Sequence, residues 1–171
     1  MARKKTSLRD FQQYLSERLK SAARGQVSSS LLGVRAGKEN WLLELSEAGE
    51  IIQLPPLTPV PLTNAAFSGI ANIRGNLYAV TDFSYFRTGE PTVQNAFTRL
   101  LLIGAKMGSN AALLVTRMQG LKNIKDFEPV SRPEDAPAWI EQPYRDQAGE
   151  IWNKLSVSAL LNDERFMNIG A

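Results

Sequence analysis

The stretch FSGIANIRGNLYAVTDFSYF, residues 67–86, decides how the rest of the chain is read. Its apolar residues alternate on either side of Gly75-Asn76, the pattern of a β-hairpin with a two-residue turn. Glycine first in the turn suits a type II′ geometry and supplies the positive φ that a tight turn requires. This placement sets Arg74 opposite Leu77, Ile73 opposite Tyr78 and Ala71 opposite Val80. Period-two alternation then predicts one core-facing set, Ala71, Ile73, Tyr78 and Val80. The other predicted face carries Asn72, Arg74, Leu77 and Ala79, half apolar with a guanidinium at its end. Such a mixture suits a protein-binding surface, where arginine beside small apolar groups anchors a partner. The competing expectation is that Arg74 pairs with a carboxylate of its own fold, Glu50 or Asp82.

Upstream, SLLGVRAG (30–37) and ENWLLELS (39–46) form a second hairpin signal around AGKEN, and GEIIQL follows. Residues 55–63, PPLTPVPLT, contain Pro55, Pro56, Pro59 and Pro61. Each proline removes a donor and fixes φ, so the segment is expected to be extended, lying on the body through Leu57, Val60 and Leu62. Downstream, RTGEPTVQN (87–95) reads as a loop, and AFTRLLLIG and NAALLVTRMQ as strands around AKMGS. SRPEDAPAW (131–139) is a proline-rich loop, and IEQPYRDQ with EIWNKLSV makes a further hairpin turning at Ala148-Gly149. Helices are expected over about 7–23, with Ser7 and Asp10 as a capping pair, and over about 156–161. The first places Leu8, Phe11, Leu15 and Leu19 on one stripe. It packs on its own domain, or docks a partner or an anionic membrane face; the narrow, tryptophan-free stripe favours the first. Roughly eight to ten short strands with a helix at each end make a mainly β chain, a barrel or paired barrels.

Composition excludes much chemistry. The 171 residues suit one domain, or one made of two small lobes, and 43% apolar with 22% charged is ordinary for a globular protein. No run approaches the roughly 18 apolar residues of a membrane helix. The N-terminus lacks the apolar region of a secretory signal. There is no cysteine and no histidine. Disulfides, thiolate chemistry, phosphohistidine and a Ser-His-Asp triad are thereby excluded, and a zinc site is disfavoured. No phosphate-cradling glycine motif occurs, and carboxylate pairs such as Glu134 with Asp135 read as solvated surface. Trp41, Trp139 and Trp152 lie in or beside strands and read as core or groove walls. The first 25 residues carry seven basic and two acidic residues, a net of +5, and the remainder a net of −2. A near-neutral body disfavours nucleic-acid binding there and leaves it as an alternative for the basic N-terminal helix. A binding module without cofactor or metal is the expected class.

GIANIRGNLYAVTDF resembles the motif G-v-x-N-x-R-G-x-i-x-x-V-x-D-l of CheW-like coupling domains, with Gly69, Asn72, Arg74, Gly75, Val80 and Asp82 in place. LLGVRAGKENWLLELSEAGEII is similar to the family's opening hairpin and V-x-E-I segment; Ala48 stands for the usual valine, while Glu50 and Ile51 match. LTPVPLTNAAFSG, RLLLIGAKMGSNAALLVTRMQGL and GEIWNKLSVSALLND follow in family order, with Thr116 and Met118 replacing an aspartate and a valine. The resemblance covers about residues 30–163. It implies two SH3-like five-stranded β-barrel lobes around a shared core, the CheW-like domain spanning 30–171 behind a helix and linker at 1–29. It implies a non-catalytic, cytoplasmic adaptor recruited to membrane-associated receptor arrays. The implied partners are the regulatory domain of a CheA-like histidine kinase and the cytoplasmic tip of a chemoreceptor, with no nucleic acid, metal or direct membrane insertion. Glu50, Ile51, Asn72, Arg74 and Leu77 are the implied protein-binding residues, and Gly69, Gly75, Val80 and Asp82 the structural ones. Within the family, VPLTNAAFSGIANIRGNLYAVTDFSYF (60–86) and the added N-terminal helix look most like the PilI branch, which serves type IV pilus twitching motility. Flagellar chemotaxis is the alternative output.

Overall fold

The computed structural model describes residues 11–17 and 30–171; the Ser7–Asp10 capping pair lies outside them. Residues 11–17 are helical (α1). The strands are β1 (Ser30–Ala36), β2 (Glu39–Glu44), β3 (Ala48–Gln53), β4 (Phe67–Ile73), β5 (Asn76–Asp82), β6 (Arg99–Ile103), β7 (Ala111–Val115), β8 (Arg117–Asn123), β9 (Glu128–Pro129), β10 (Ile140–Arg145) and β11 (Ile151–Leu155). Among the described residues three further short α-helices follow, α2 (Phe83–Thr88), α3 (Val157–Leu161) and α4 (Glu164–Met167), with single 3-10 turns at Ala105–Met107 and Ile124–Asp126.

The strands form two sheets, in the orders β8-β1-β2-β11-β10-β9 and β3-β6-β7-β5-β4. The first therefore has six strands rather than the expected five, the extra one being the two-residue β9. Neither sheet is built from neighbours alone. β11 runs parallel to β2, and β5 parallel to β7. The chain changes sheets between β7 and β8, at Thr116. Its N–H donates to the Arg35 carbonyl (2.9 Å), and its hydroxyl accepts from the Gly37 N–H (2.8 Å). A hydroxyl at this crossing thus ties one sheet to the first hairpin of the other.

Three apolar clusters follow from alternation along these strands. Leu32, Val34, Trp41 and Leu43 of one sheet meet Leu101, Ile103, Leu113 and Val115 of the other in a shared core. Trp41 and Phe83 meet edge to face there, 4.9 Å between ring centroids, an arrangement that adds about 1 kcal/mol to simple area burial. The opposite faces bury their own clusters: Ala71, Ile73, Val80, Leu100, Leu102 and Leu114 in one lobe, and Leu31, Leu42 and Trp152 in the other. Two lobes around a shared core is the arrangement implied by the CheW resemblance. All three tryptophans are buried.

Some local expectations need correction. The chain after Asp82 does not run directly into a loop; α2 intervenes, started by the Asp82 side chain and ended at Gly89, whose φ of 78° is the left-handed stop that glycine tolerates. The C-terminal segment contains α4, which seats Phe166 in the shared core. In the proline segment Leu57 packs on a lobe core, but Leu62 is 87% exposed.

Candidate protein-binding site

The β4–β5 hairpin turns one residue earlier than its alternation alone indicated. Ile73 pairs with Asn76, Asn72 with Leu77, Ala71 with Tyr78 and Gly69 with Val80. The two turn residues are therefore Arg74 and Gly75, with φ of 52° and 83°. Two central residues at positive φ define a type I′ turn rather than type II′. Partners are displaced by two positions, so every strand residue keeps its face, because side chains alternate with period two. Ala71, Ile73 and Val80 are buried as expected, and Leu77 is 57% exposed. Arg74 changes most, since it belongs to no strand face and stands at the tip. The Asn72 carboxamide oxygen accepts from the Gly75 N–H (3.0 Å) and closes the turn from within. This hydrogen bond was not foreseen for a residue expected to touch a partner.

The tip is anchored by Glu50. Both guanidinium nitrogens of Arg74 donate to the Glu50 carboxylate, Nη1 to Oε1 at 2.8 Å and Nη2 to Oε2. This fork-to-fork geometry fixes orientation as well as distance. β3 and β4 are opposite edges of the five-stranded sheet, so the contact between Glu50 and the hairpin tip requires the sheet to curl back on itself. The hydrogen bond from Arg74 holds the Glu50 carboxyl below its usual range, against partial burial that pushes the other way. Arg74 shifts upward in answer, chiefly through the same hydrogen bond. The side chain of Arg74 nevertheless stays 67% exposed. Of the two carboxylates considered for Arg74, Glu50 is its partner.

Asp82 lies at the other end of β5 and is buried. Its Oδ1 accepts from the Tyr85 N–H (3.2 Å) and the Thr92 hydroxyl (2.7 Å), and its Oδ2 from the Thr92 N–H (2.8 Å). Gly69 sits where the β4–β5 register shifts, with φ of 130°; a Cβ there would stand 2.5 Å from the Thr58 carbonyl oxygen, part of the bridge between Thr58 and Ile70. Ile51 is half-buried against the shared core. The structure thus brings Glu50, Asn72, Arg74 and Leu77 together around one exposed tip, with Ile51 beside Glu50 on β3. Gly69, Val80 and Asp82 lie along the same hairpin, away from its tip.

A second feature escaped the sequence reading. Phe11, Gln12, Leu15 and Ser16 of α1 line a cavity of about 510 Å³ with Gly49, Glu50, Ile51, Ile52, Gln53, Arg99 and Met118. The apolar stripe of the helix was visible in sequence, but nothing there indicated that it shares a cavity with β3. Among the described residues no group of three or more His, Cys, Asp or Glu is placed to hold a metal ion, and no helix is long and apolar enough to cross a membrane.

The geometry is that of two β-sheet lobes around a shared core, with an ion pair at an exposed hairpin tip. The CheW-like domain family matches residues 30–165, and the chain belongs to that family, whose members are non-catalytic chemotaxis scaffolds. The chain is similar to the chemotaxis protein CheW of Rhizobium meliloti (strain 1021), 25% identical over 109 residues, covering 62% of this chain and 68% of that protein. It also resembles the crystal structure of the scaffolding protein TtCheW from Thermoanaerobacter tengcongensis. That match has a TM-score of 0.63 at 17% identity, covering 74% of this chain and 88% of the other, a likeness of fold.

Proposed function

We propose that this chain is a cytoplasmic chemosensory adaptor, joining a CheA-like histidine kinase to the cytoplasmic tip of a chemoreceptor in control of type IV pilus twitching. The observation that carries the reading is the hairpin tip. Arg74 is oriented by Glu50 yet mostly exposed, and it stands beside Leu77. A charge held in one orientation beside an exposed apolar side chain loses little freedom on binding, which suits recognition. Family membership supports the adaptor role. The PilI-like stretch at 60–86 and the added N-terminal helix support the pilus output.

Titration of the full-length protein with the kinase regulatory domain and with the receptor tip tests the adaptor role. Saturable binding to both is expected, and binding to neither would refute it. Deletion of the gene tests the output: twitching is lost and swimming kept. The reverse would assign the adaptor to flagellar chemotaxis.

A further inference from the structure

Strand β3 is an edge of the five-stranded sheet, and β8 an edge of the six-stranded sheet. Five consecutive residues of β3, Gly49 to Gln53, line the cavity that also reaches Met118 of β8. Consecutive strand residues point to opposite faces, so a cavity touching all five runs along the open edge of β3. Its remaining wall is α1, through Phe11, Gln12, Leu15 and Ser16, which share one helical face. Of the described α1 residues only Phe11 and Leu15 are half-buried; the others are exposed. About 510 Å³ remains open between helix and strand, so α1 covers the groove without filling it. Glu50 and Ile51 belong to the same wall, and Glu50 also holds Arg74.

We propose that α1 is a displaceable cover over a helix-accepting groove: the free chain seats its own amphipathic helix along the β3 edge, and a partner gains full access to Glu50 and Ile51 only when that helix leaves. A bare edge strand invites pairing with other chains, and a segment held by two half-buried anchors hides it while staying exchangeable. The inference rests on the adaptor reading for the identity of the partner, and on geometry alone for the cover.

The chain has no cysteine, so Met118→Cys places a single thiol in the groove. Labelling by a small maleimide reads how often the cover opens. In that background Leu15→Asp is expected to raise the labelling rate on the order of tenfold while the main thermal transition stays in place. A synthetic peptide of residues 7–20, added in excess to the Leu15→Asp protein, is expected to slow labelling again. An unchanged rate, or loss of the cooperative melt in both Leu15→Asp and the milder Leu15→Ala, would overturn the cover. Titration with the kinase regulatory domain and the receptor tip completes the test. Tighter binding of at least one by Leu15→Asp supports the proposal, and equal binding of both by the two proteins overturns it. Binding of neither partner by either protein would instead overturn the adaptor reading, leaving the labelling rate to decide the cover.

Discussion

Two charged residues of the same motif, Asp82 at the end of β5 and Arg74 in the turn before its start, stand in opposite circumstances. At Asp82 the carboxylate is buried and accepts three hydrogen bonds from Tyr85 and Thr92, so it starts α2 and ties down the following loop. At the other end, Arg74 forms a bidentate pair with Glu50 but remains two-thirds exposed. A buried charge with all its bonds made is costly to disturb, because deleting it leaves donors without partners in a water-poor site. An exposed pair contributes little to stability, because water competes for both groups. The hairpin is therefore tied into the fold at its Asp82 end and leaves an oriented, exposed guanidinium at its tip.

The comparison can be broken most forcefully at Asp82. Asp82→Ala should cost about 3 kcal/mol in chemical denaturation, through the lost cap and the stranded Thr92 donors. A loss under about 1 kcal/mol would mean the buried end is not the structural one. Gly69→Ala should cost about 2 kcal/mol by the same measurement, since both its φ and the Thr58 carbonyl oppose a side chain. At the tip the expectation reverses. Arg74→Asn keeps a residue that tolerates positive φ while removing the guanidinium. Its melting temperature should stay near that of the parent, while affinity for the kinase regulatory domain or the receptor tip falls about tenfold. A lowered melt with unchanged affinity would make Arg74 a structural residue.

The smallest effect is in the acid limb. The Glu50 carboxyl is held below its usual range in the folded state, so its contribution is present above the unfolded pKa and is lost as pH falls through the folded one. Glu47 opposes it: burial raises its pKa, so its charge costs stability at higher pH and the cost is relieved on acidification. The difference between the parent and Glu50→Gln isolates the first term. The parent should lose slightly more stability between about pH 5 and pH 3. Parallel curves would show that the ion pair carries no net stability.

Much of this was legible from residue order. Alternation in residues 67–86 identified the hairpin and its buried face, and the sequence correctly separated Ala71, Ile73 and Val80 from the exposed Leu77. The turn was misplaced by one residue because Gly75 fits the second position of a turn at Arg74-Gly75 as well as the first position of one at Gly75-Asn76. The choice was settled by the Asn72 hydrogen bond and the Glu50 clamp, and the clamp depends on a strand 24 positions away. Helices α2 and α4, of six and four residues, escaped notice although each is started by an aspartate cap, whereas the five-residue α3 was expected, so length alone does not account for the difference.

The sequence alone therefore determined the mainly β class, the likeness to CheW-like coupling domains and the buried face of the hairpin, since these depend on local alternation and on residue types set at fixed spacing. Only the tertiary structure decided that Arg74 pairs with Glu50 rather than Asp82, and that α1 and β3 line one cavity. The ion pair follows from how a curled sheet brings distant strands together, and the shared cavity from how a separate helix meets that sheet; no local periodicity encodes either contact.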